Sequence, residues 1–267
     1  MSGPSQQEQG KRFRALHNGA AFIIPNPWDA GSARVLAGLG FEALATTSSG
    51  FAFTLARPDG SATLDDVVAH TRALAAATIL PLSVDLENGY GSAPRDAALA
   101  IARVAEAGAV GGSIEDYDPA GRIYDLGHAV ERVEAAVETS RALGFPFTLT
   151  ARAENHIRGN PDLDDTIERL QAYERAGADV LYAPGLASSD EIRAVCDATS
   201  QPVNVLARPG LTMSEIVEAG GRRISVGGGL TRIAVTAMVA AATEMRERGD
   251  FSALAAAGEF ENWLGDA

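Results

Sequence analysis

Short apolar runs rich in β-branched residues alternate along the chain with longer, alanine-rich stretches whose apolar side chains recur at helical spacing. Turns that contain glycine, aspartate or proline separate the two kinds of segment. The pattern predicts eight strands, each followed by a helix. The predicted strands are Ala20–Pro25, Glu42–Thr47, Leu80–Leu86, Ala109–Glu115, Pro146–Arg152, Asp179–Ala183, Pro202–Leu206 and Arg223–Val226. The predicted helices are Ala30–Leu39, Leu64–Ala77, Pro94–Ala107, Ala129–Leu143, Leu163–Ala176, Ser189–Cys196, Thr212–Glu218 and Leu230–Arg248.

Eight strand-helix units fill a chain of 267 residues, which leaves about 33 residues for each unit, the usual size in a (β/α)8 barrel. We therefore predict an α/β fold, a (β/α)8 TIM barrel that occupies residues 1–267 as one domain. A doubly wound open sheet is the alternative, and the count of eight favours closure. The polar start, Met1–Arg14, is expected to be frayed.

An additional C-terminal helix is predicted over Phe251–Leu264. It packs either on its own barrel or on a neighbouring subunit. Its large apolar residues are Phe251, Leu254, Phe260, Trp263 and Leu264.

Composition narrows the function. Hydrophobic residues make up 46% and charged residues 21%, which is typical of a globular protein. The net charge of −13 repels phosphate backbones and anionic lipid, so we expect neither a nucleic-acid nor a membrane partner. One cysteine, Cys196, allows no internal disulfide and is expected to fill the core. With no apolar leader or spanning segment visible, a cytoplasmic protein is expected.

Carboxylates mark the C-terminal ends of several predicted strands, where the active site of a parallel barrel lies. Asp85 and Glu87 alternate, so their side chains point the same way and would repel unless a cation lay between them. Glu115 ends the next strand, and Asp59 lies in the connection after the second. Four oxygen donors suit Mg²⁺ or Mn²⁺ better than zinc. The alternative is that these acidic residues are only solvated or cap helices.

Polar groups at other strand ends could bind an anionic ligand. The segment Thr47-Ser48-Ser49 offers hydroxyls and consecutive backbone N–H groups, which suit a carboxylate, although such a cluster is often a plain loop. Arg152 either pairs with Glu115 or Glu154 or presents its guanidinium to a substrate oxyanion. The triplet Gly227-Gly228-Gly229 stands where many barrels bind phosphate, which is a weak signal alone. His156 is the one histidine placed near this end of the predicted barrel.

Taken together, several segments resemble the isocitrate lyase / phosphoenolpyruvate mutase superfamily. They follow that family's order over nearly the whole chain. The segments are Asn26-Pro27-Trp28-Asp29-Ala30, Thr47-Ser48-Ser49-Gly50, Pro58-Asp59-Gly60, Asp85-Leu86-Glu87-Asn88-Gly89-Tyr90-Gly91, Ile114-Glu115-Asp116, Thr150-Ala151-Arg152 and Arg223-Ile224-Ser225-Val226-Gly227-Gly228-Gly229.

The resemblance implies a Mg²⁺ site and a homo-oligomer, a dimer or a tetramer, in which dimers exchange the last barrel helix. Asp85 would be the most direct metal ligand, and Asp59, Glu87 and Glu115 would hold its waters. Arg152 would stabilise the developing oxyanion, with Asp59 and Glu115 also in the catalytic set. The substrate would be a small carboxylate, bound by Trp28, Thr47, Ser48, Ser49, Gly50, Arg152, His156 and Asn204.

One departure from the family pattern concerns the lid. The family's lyases carry a catalytic cysteine in a Lys-x-Cys-Gly-His segment after Ile-Glu-Asp, whereas this chain has the shorter Tyr117–Asp125 and no cysteine. We therefore predict a Mg²⁺-dependent lyase or decarboxylase on a 2-oxo or 2-hydroxy (di)carboxylic acid that uses water, Tyr124 or His156 as proton donor. The alternatives are a phosphonopyruvate-type hydrolase or mutase, and a 2-oxoacid-binding protein with little turnover.

Overall fold

A computed structural model describes residues 3–256, 258 and 261–264. The strands are β1 (Phe22–Ile24), β2 (Leu44–Ala45), β3 (Leu82–Asp85), β4 (Gly111–Glu115), β5 (Tyr117–Asp118), β6 (Arg122–Ile123), β7 (Thr148–Arg152), β8 (Val180–Tyr182), β9 (Val203–Leu206) and β10 (Arg223–Ser225). The α-helices are α1 (Gln6–Asn18), α2 (Ala30–Gly38), α3 (Ser48–Thr54), α4 (Leu64–Ala77), α5 (Pro94–Glu106), α6 (Leu126–Ala142), α7 (Leu163–Arg175), α8 (Ser189–Ala198), α9 (Met213–Glu218), α10 (Gly229–Arg248) and α11 (Glu261–Leu264).

The strands form a parallel barrel, as predicted. Eight of them pair in the order β1-β10-β9-β8-β7-β4-β3-β2. Between the two end strands of that order, the Ala45 N–H donates to the Pro25 carbonyl at 3.1 Å, which brings β2 against the end of β1. Each predicted strand contains one of the eight, and the sequence pattern overestimates its length at the ends. The (β/α)8 prediction is confirmed.

The N-terminal segment is not frayed. Ser5 and Glu8 form a capping box that starts α1, in which each side chain accepts from the other residue's backbone N–H. Phe13 on this helix is fully buried and packs with Phe22 and Val110. The polar composition of residues 3–18 concealed a helix that buries one narrow face, so the expectation of a loose start was wrong.

Two further elements lie outside the predicted strands and helices. The Ser/Thr segment after β2 is helical, because the Thr47 side chain accepts from the Gly50 N–H and so caps α3. After β4, β5 and β6 form a two-stranded antiparallel hairpin in the place of the family's lid segment. Both insertions lie at the C-terminal mouth of the barrel.

Apolar side chains fill the layer between strands and helices, while the barrel interior near the mouth is polar. Ser83, Ser113 and Ser225 face a cavity inside the barrel, as does Arg223. Ile24, Val84 and Leu206 line the same cavity, so its surface combines hydroxyl groups with hydrocarbon.

Helix α10 is largely exposed to solvent in the single chain. Helix α10 buries only Thr231 among its twenty residues and leaves Ile233, Met238 and Val239 more than half exposed. The predicted helix over Phe251–Leu264 is instead a 3-10 turn at Ser252–Ala256 followed by α11, and Phe260 lies outside the described residues. Helix α11 packs on α2. Among the described residues, every helix is too short or too polar to cross a membrane.

Candidate active site

A cavity of about 570 Å³ opens at the C-terminal ends of the barrel strands. The predicted metal, oxyanion and carboxylate-binding groups lie on its walls. The predicted residues that line it are Thr47, Ser48, Ser49, Asp59, Asp85, Glu87, Glu115, Arg152 and Asn204.

Arg152, at the end of β7, is the centre of an ion-pair cluster. Its guanidinium lies 3.1 Å from Asp85 Oδ1, 3.1 Å from Glu115 Oε2 and 2.6 Å from Glu154 Oε1. The parallel register places Glu115 of β4 directly opposite Arg152, which explains the second contact. Tyr182 flanks the guanidinium with its ring centre at 5.0 Å. Of the two roles considered for Arg152, internal pairing is therefore present, and its side chain also lines the cavity.

Sequence reasoning missed a second arginine in this cluster. Arg158 Nε lies 2.9 Å from Glu154 Oε2, and Arg158 Nη2 lies 3.5 Å from Glu115 Oε1. The guanidinium stacks on the Tyr117 ring of the hairpin at 3.8 Å. Arg158 follows Arg152 by six residues in a loop, so only the fold shows that both face the same carboxylates. Glu115 and Glu154 are thus each shared between two arginines.

The remaining carboxylates crowd one side of the cavity. Glu87 has a left-handed backbone, with φ of 49°, and its N–H donates to Asp85 Oδ1 at 3.3 Å. Burial, together with the charges of Asp85 and Asp59, raises the pKa of Glu87 to about 7. The Tyr90 hydroxyl donates to Glu87 at 3.4 Å. This wall holds more negative charge than its own donors neutralise.

The acidic wall lacks a ready-made set of direct metal ligands. Across the described ranges, no three His, Cys, Asp or Glu side chains converge closely enough to coordinate an ion directly. Both carboxylate oxygens of Asp85 already accept from protein donors. Oδ1 pairs with Arg152, and Oδ2 accepts from the Ser48 N–H at 3.2 Å.

The start of α3 lines the cavity beside the acidic wall, where the Ser48 N–H donates to Asp85. Thr47 Oγ1 and Ser49 Oγ lie 3.2 Å apart at this helix start, and both residues line the cavity. The glycine triplet lies beside them: a side chain at Gly228 would have its Cβ 2.5 Å from Ser49 Oγ. Glycine is needed there because any larger residue would displace that hydroxyl.

Four predicted residues do not line the cavity. Gly50 is buried against Thr231, and Trp28 lies behind it, where its carbonyl contacts His70 Nε2 at 3.0 Å. Tyr124 accepts a hydrogen bond from Asn88 and lines a neighbouring cavity. His156 faces α7 and α8, with Nδ1 3.3 Å from Thr166 Oγ1 and Nε2 3.9 Å from Glu191. A proton donor must reach the reacting atom, and neither Tyr124 nor His156 lines the cavity that holds Arg152.

Cys196 lies far from this chemistry. It packs at the edge of the core formed by α7, α8 and β9, and burial raises its pKa to about 11. The thiol is therefore protonated at neutral pH, as expected of a core residue.

Comparisons with known proteins agree with the architecture. Residues 13–246 match the family model described as phosphoenolpyruvate phosphomutase. A crystal structure of a protein from Burkholderia cenocepacia J2315 is 52% identical, with a TM-score of 0.95 over 98% of this chain and 97% of that one.

Two relatives carry named activities. A 2-methylisocitrate lyase of Escherichia coli (strain K12) is 32% identical over 211 residues, 74% of this chain and 70% of the relative. An oxaloacetate decarboxylase of Rhodopseudomonas palustris (strain BisB18) is 31% identical over 244 residues, 87% of this chain and 80% of the relative. The chain therefore belongs to the phosphoenolpyruvate phosphomutase family, whose members here include lyases and decarboxylases of organic acids.

Proposed function

We propose that the protein is a Mg²⁺-dependent lyase or decarboxylase that breaks a C–C bond beside the oxo or hydroxy group of a small (di)carboxylic acid. Oxaloacetate is the simplest substrate of this class. The observation that carries the proposal is the convergence of Arg152, Asp85 and Glu115 in one cavity, beside the Ser48–Ser49 helix start. The guanidinium matches a developing oxyanion, and the serine groups match a carboxylate.

The residues fit a magnesium ion that keeps most of its water. Mg²⁺ is held in proteins through one or two carboxylates and several waters, so it needs no cluster of three direct ligands. Asp85 would be the direct ligand, while Asp59, Glu87 and Glu115 would hold the waters. Burial, followed by the charges of Asp85 and Asp59, raises the pKa of Glu87, and a cation beside these carboxylates offsets the repulsion between them. Mn²⁺ satisfies the same oxygen donors.

Substrate binding follows from the groups that line the cavity. The substrate carboxylate accepts from the hydroxyl groups of Ser48 and Ser49 and from the Ser49 N–H, because the Ser48 N–H already donates to Asp85. The neighbouring 2-oxo oxygen then faces Arg152. Tyr182 covers one side of this guanidinium and limits its access to water, which strengthens its interaction with the ligand.

In the chemical step with oxaloacetate, the C3–C4 bond breaks and carbon dioxide leaves. The electron pair moves through C2 onto the 2-oxo oxygen, which becomes an enolate oxygen. Arg152 donates to that oxygen as its charge grows, and Glu154 and Glu115 hold the guanidinium in place. Mg²⁺, when bound, supplies further positive charge for the enolate. C3 then takes a proton from water in the cavity to give pyruvate.

The test is turnover of oxaloacetate and a panel of 2-oxo and 2-hydroxy acids, with Mg²⁺ or with a chelator. We expect Mg²⁺-dependent activity in the wild type and its loss in Asp85→Asn. Asp65→Asn is the matched control, because Asp65 pairs with Arg103 on the surface. Equal activity of Asp85→Asn and wild type would refute the proposal. Phosphate release from phosphonopyruvate would assign a hydrolase instead, and Mg²⁺-dependent binding without any product would assign a binding protein.

A further inference from the structure

A buried arginine lies inside the barrel, below the candidate active site. Arg223 begins β10, lines the cavity and reaches across to Thr150 on β7, with 2.9 Å between Nη2 and Oγ1. Thr150 precedes Arg152 by two residues on the same face of β7, so Arg223 contacts the layer of side chains one step, about 6.6 Å, below Arg152.

No carboxylate of the described chain forms an ion pair with Arg223. Its side chain is 5% exposed, and burial lowers its pKa to about 10. A buried charge without a counter-ion is costly unless neutral hydrogen-bond acceptors hold it. The groups that accept hydrogen bonds from Arg223 therefore indicate its role.

One acceptor is His17 of α1, which closes the bottom of the barrel. His17 Nδ1 lies 2.8 Å from the Phe13 carbonyl, which can only accept, so Nδ1 carries the proton. Nε2 then presents its lone pair to Arg223 Nη1 at 3.3 Å. This tautomer is assigned from the hydrogen-bond network, and it places a neutral acceptor where a second charge would repel.

After Thr150 and His17, the third acceptor is Asn204, which lines the cavity. Arg223 Nε donates to Asn204 Oδ1 at 2.8 Å, and Asn204 Nδ2 donates to Ser225 Oγ at 3.0 Å. Because an arginine has no acceptor atom, the amide oxygen must face Arg223. The second N–H of Nδ2 is then the group that Asn204 offers to a molecule in the cavity.

We propose that Arg223 is a positioning residue that fixes Asn204 as a hydrogen-bond donor toward an anionic substrate. The inference rests on the proposed function. Ionised 2-oxo and 2-hydroxy acids present carboxylate and carbonyl oxygens, which accept. An Asn204 amide turned the other way would offer its own oxygen and repel them. Arg223 thus selects for oxygen-rich anions without touching them.

The test compares Arg223→Met and Arg223→Lys with Arg222→Met. Arg222 is the adjacent exposed residue, whose guanidinium donates to the Gly19 carbonyl, so it controls for the loss of one charge. Calorimetry gives the Kd of malate in saturating Mg²⁺ and the Kd of Mg²⁺ alone. Steady-state kinetics with oxaloacetate gives KM and kcat, and circular dichroism verifies folding.

We expect both Arg223 variants to raise the malate Kd and the oxaloacetate KM about tenfold or more, the usual effect of losing a hydrogen bond to a charged group. We expect kcat to change less than KM, and the Mg²⁺ Kd to stay unchanged because the acidic wall lies above Arg223. Arg223→Lys keeps the charge but cannot bridge the three acceptors, so it serves if the methionine variant does not fold.

Asn204→Asp tests the orientation itself. The carboxylate can still accept from Arg223 but has no N–H for the cavity, so the malate Kd should rise while the fold is kept. Malate binding as tight as wild type in Asn204→Asp, or in both Arg223 variants, would overturn the inference. The inference alone fails if the wild type and those variants bind malate equally well and Asp85→Asn does not bind malate. A wild type that binds neither malate nor oxaloacetate with Mg²⁺ overturns the proposed function as well.

Discussion

Replacement of Arg152 by methionine should have a large effect on stability. Its three carboxylate partners, Asp85, Glu115 and Glu154, and Arg152 itself are at most 16% exposed. Removing one member of a buried ion pair costs about 3–5 kcal/mol. Since Arg158 still neutralises Glu115 and Glu154, we expect the lower end, about 3 kcal/mol, and a Tm lower by about 9 °C for a chain of this size.

Magnesium should reverse part of that loss. Arg152→Met leaves Asp85 Oδ1 without its cationic partner, so a bound Mg²⁺ meets no competitor there. An ion at a hundred times its Kd stabilises the folded state by about 2.7 kcal/mol. In the wild type the ion must share Asp85 with Arg152, so its effect on Tm should be smaller. Activity should nevertheless fall by about two to three orders of magnitude, because the oxyanion donor is gone.

The assay is thermal unfolding followed by circular dichroism, in chelator and in Mg²⁺, beside oxaloacetate turnover. Arg158→Met is the comparator: Arg158 is 39% exposed and shares only the two glutamates, so it should lose less stability and gain less from Mg²⁺. The reasoning is refuted if Arg152→Met gains no more in Tm from Mg²⁺ than the wild type, or keeps activity within tenfold of it.

Two other expectations come from the ends of the chain. Burial lowers the pKa of His17 from 6.5 to about 3, so the unfolded chain binds a proton that the folded chain excludes, and stability falls as pH drops below 6.5. From pH 7 to pH 5 the free energy of unfolding should fall by about 2 kcal/mol. Urea unfolding should show a smaller decrease over this range in His17→Gln, and an equal decrease in the variant and the wild type would contradict the expectation. Helix α10, with Ile233 and Met238 exposed, should be covered by a second copy of the chain, so light scattering should show a dimer or tetramer. The double variant Ile233→Glu with Met238→Glu should shift the oligomeric state toward monomer. A monomeric wild type would refute the proposed contact.

The barrel could be predicted because its signals are local. Each strand is an apolar run, and each following helix has its own period and its own end. The sequence did not predict helix α1 because seven of its thirteen residues are exposed. The face that it buries around Phe13 is too narrow to give a clear helical period of apolar residues. The sequence did not predict helix α3 because a Ser/Thr cluster is equally typical of a helix cap and of a loop. In the structure Thr47 is the cap.

The site divides in the same way. Strand ends are visible in the sequence, so Asp85, Glu115 and Arg152 could be placed at one mouth. Loop residues could not, because their direction depends on packing that no local pattern encodes. His156 is the clearest case: it is four residues from Arg152, yet the turn after β7 directs it toward Thr166, while Arg158 turns back to the cavity.

Arg152 and Arg158 also explain how so acidic a cavity can fold before any cation arrives. Glu115 and Glu154 are almost fully buried, and two unpaired carboxylates there would be strongly unfavourable. Each pairs with both arginines, so Asp59 and Glu87 are the carboxylates of this wall without an arginine partner among the described residues. Burial, together with the charges of Asp85 and Asp59, raises the pKa of Glu87. A cation would gain most beside these two carboxylates. They lie next to Asp85 and to the Arg152 guanidinium, the oxyanion donor of the proposed reaction.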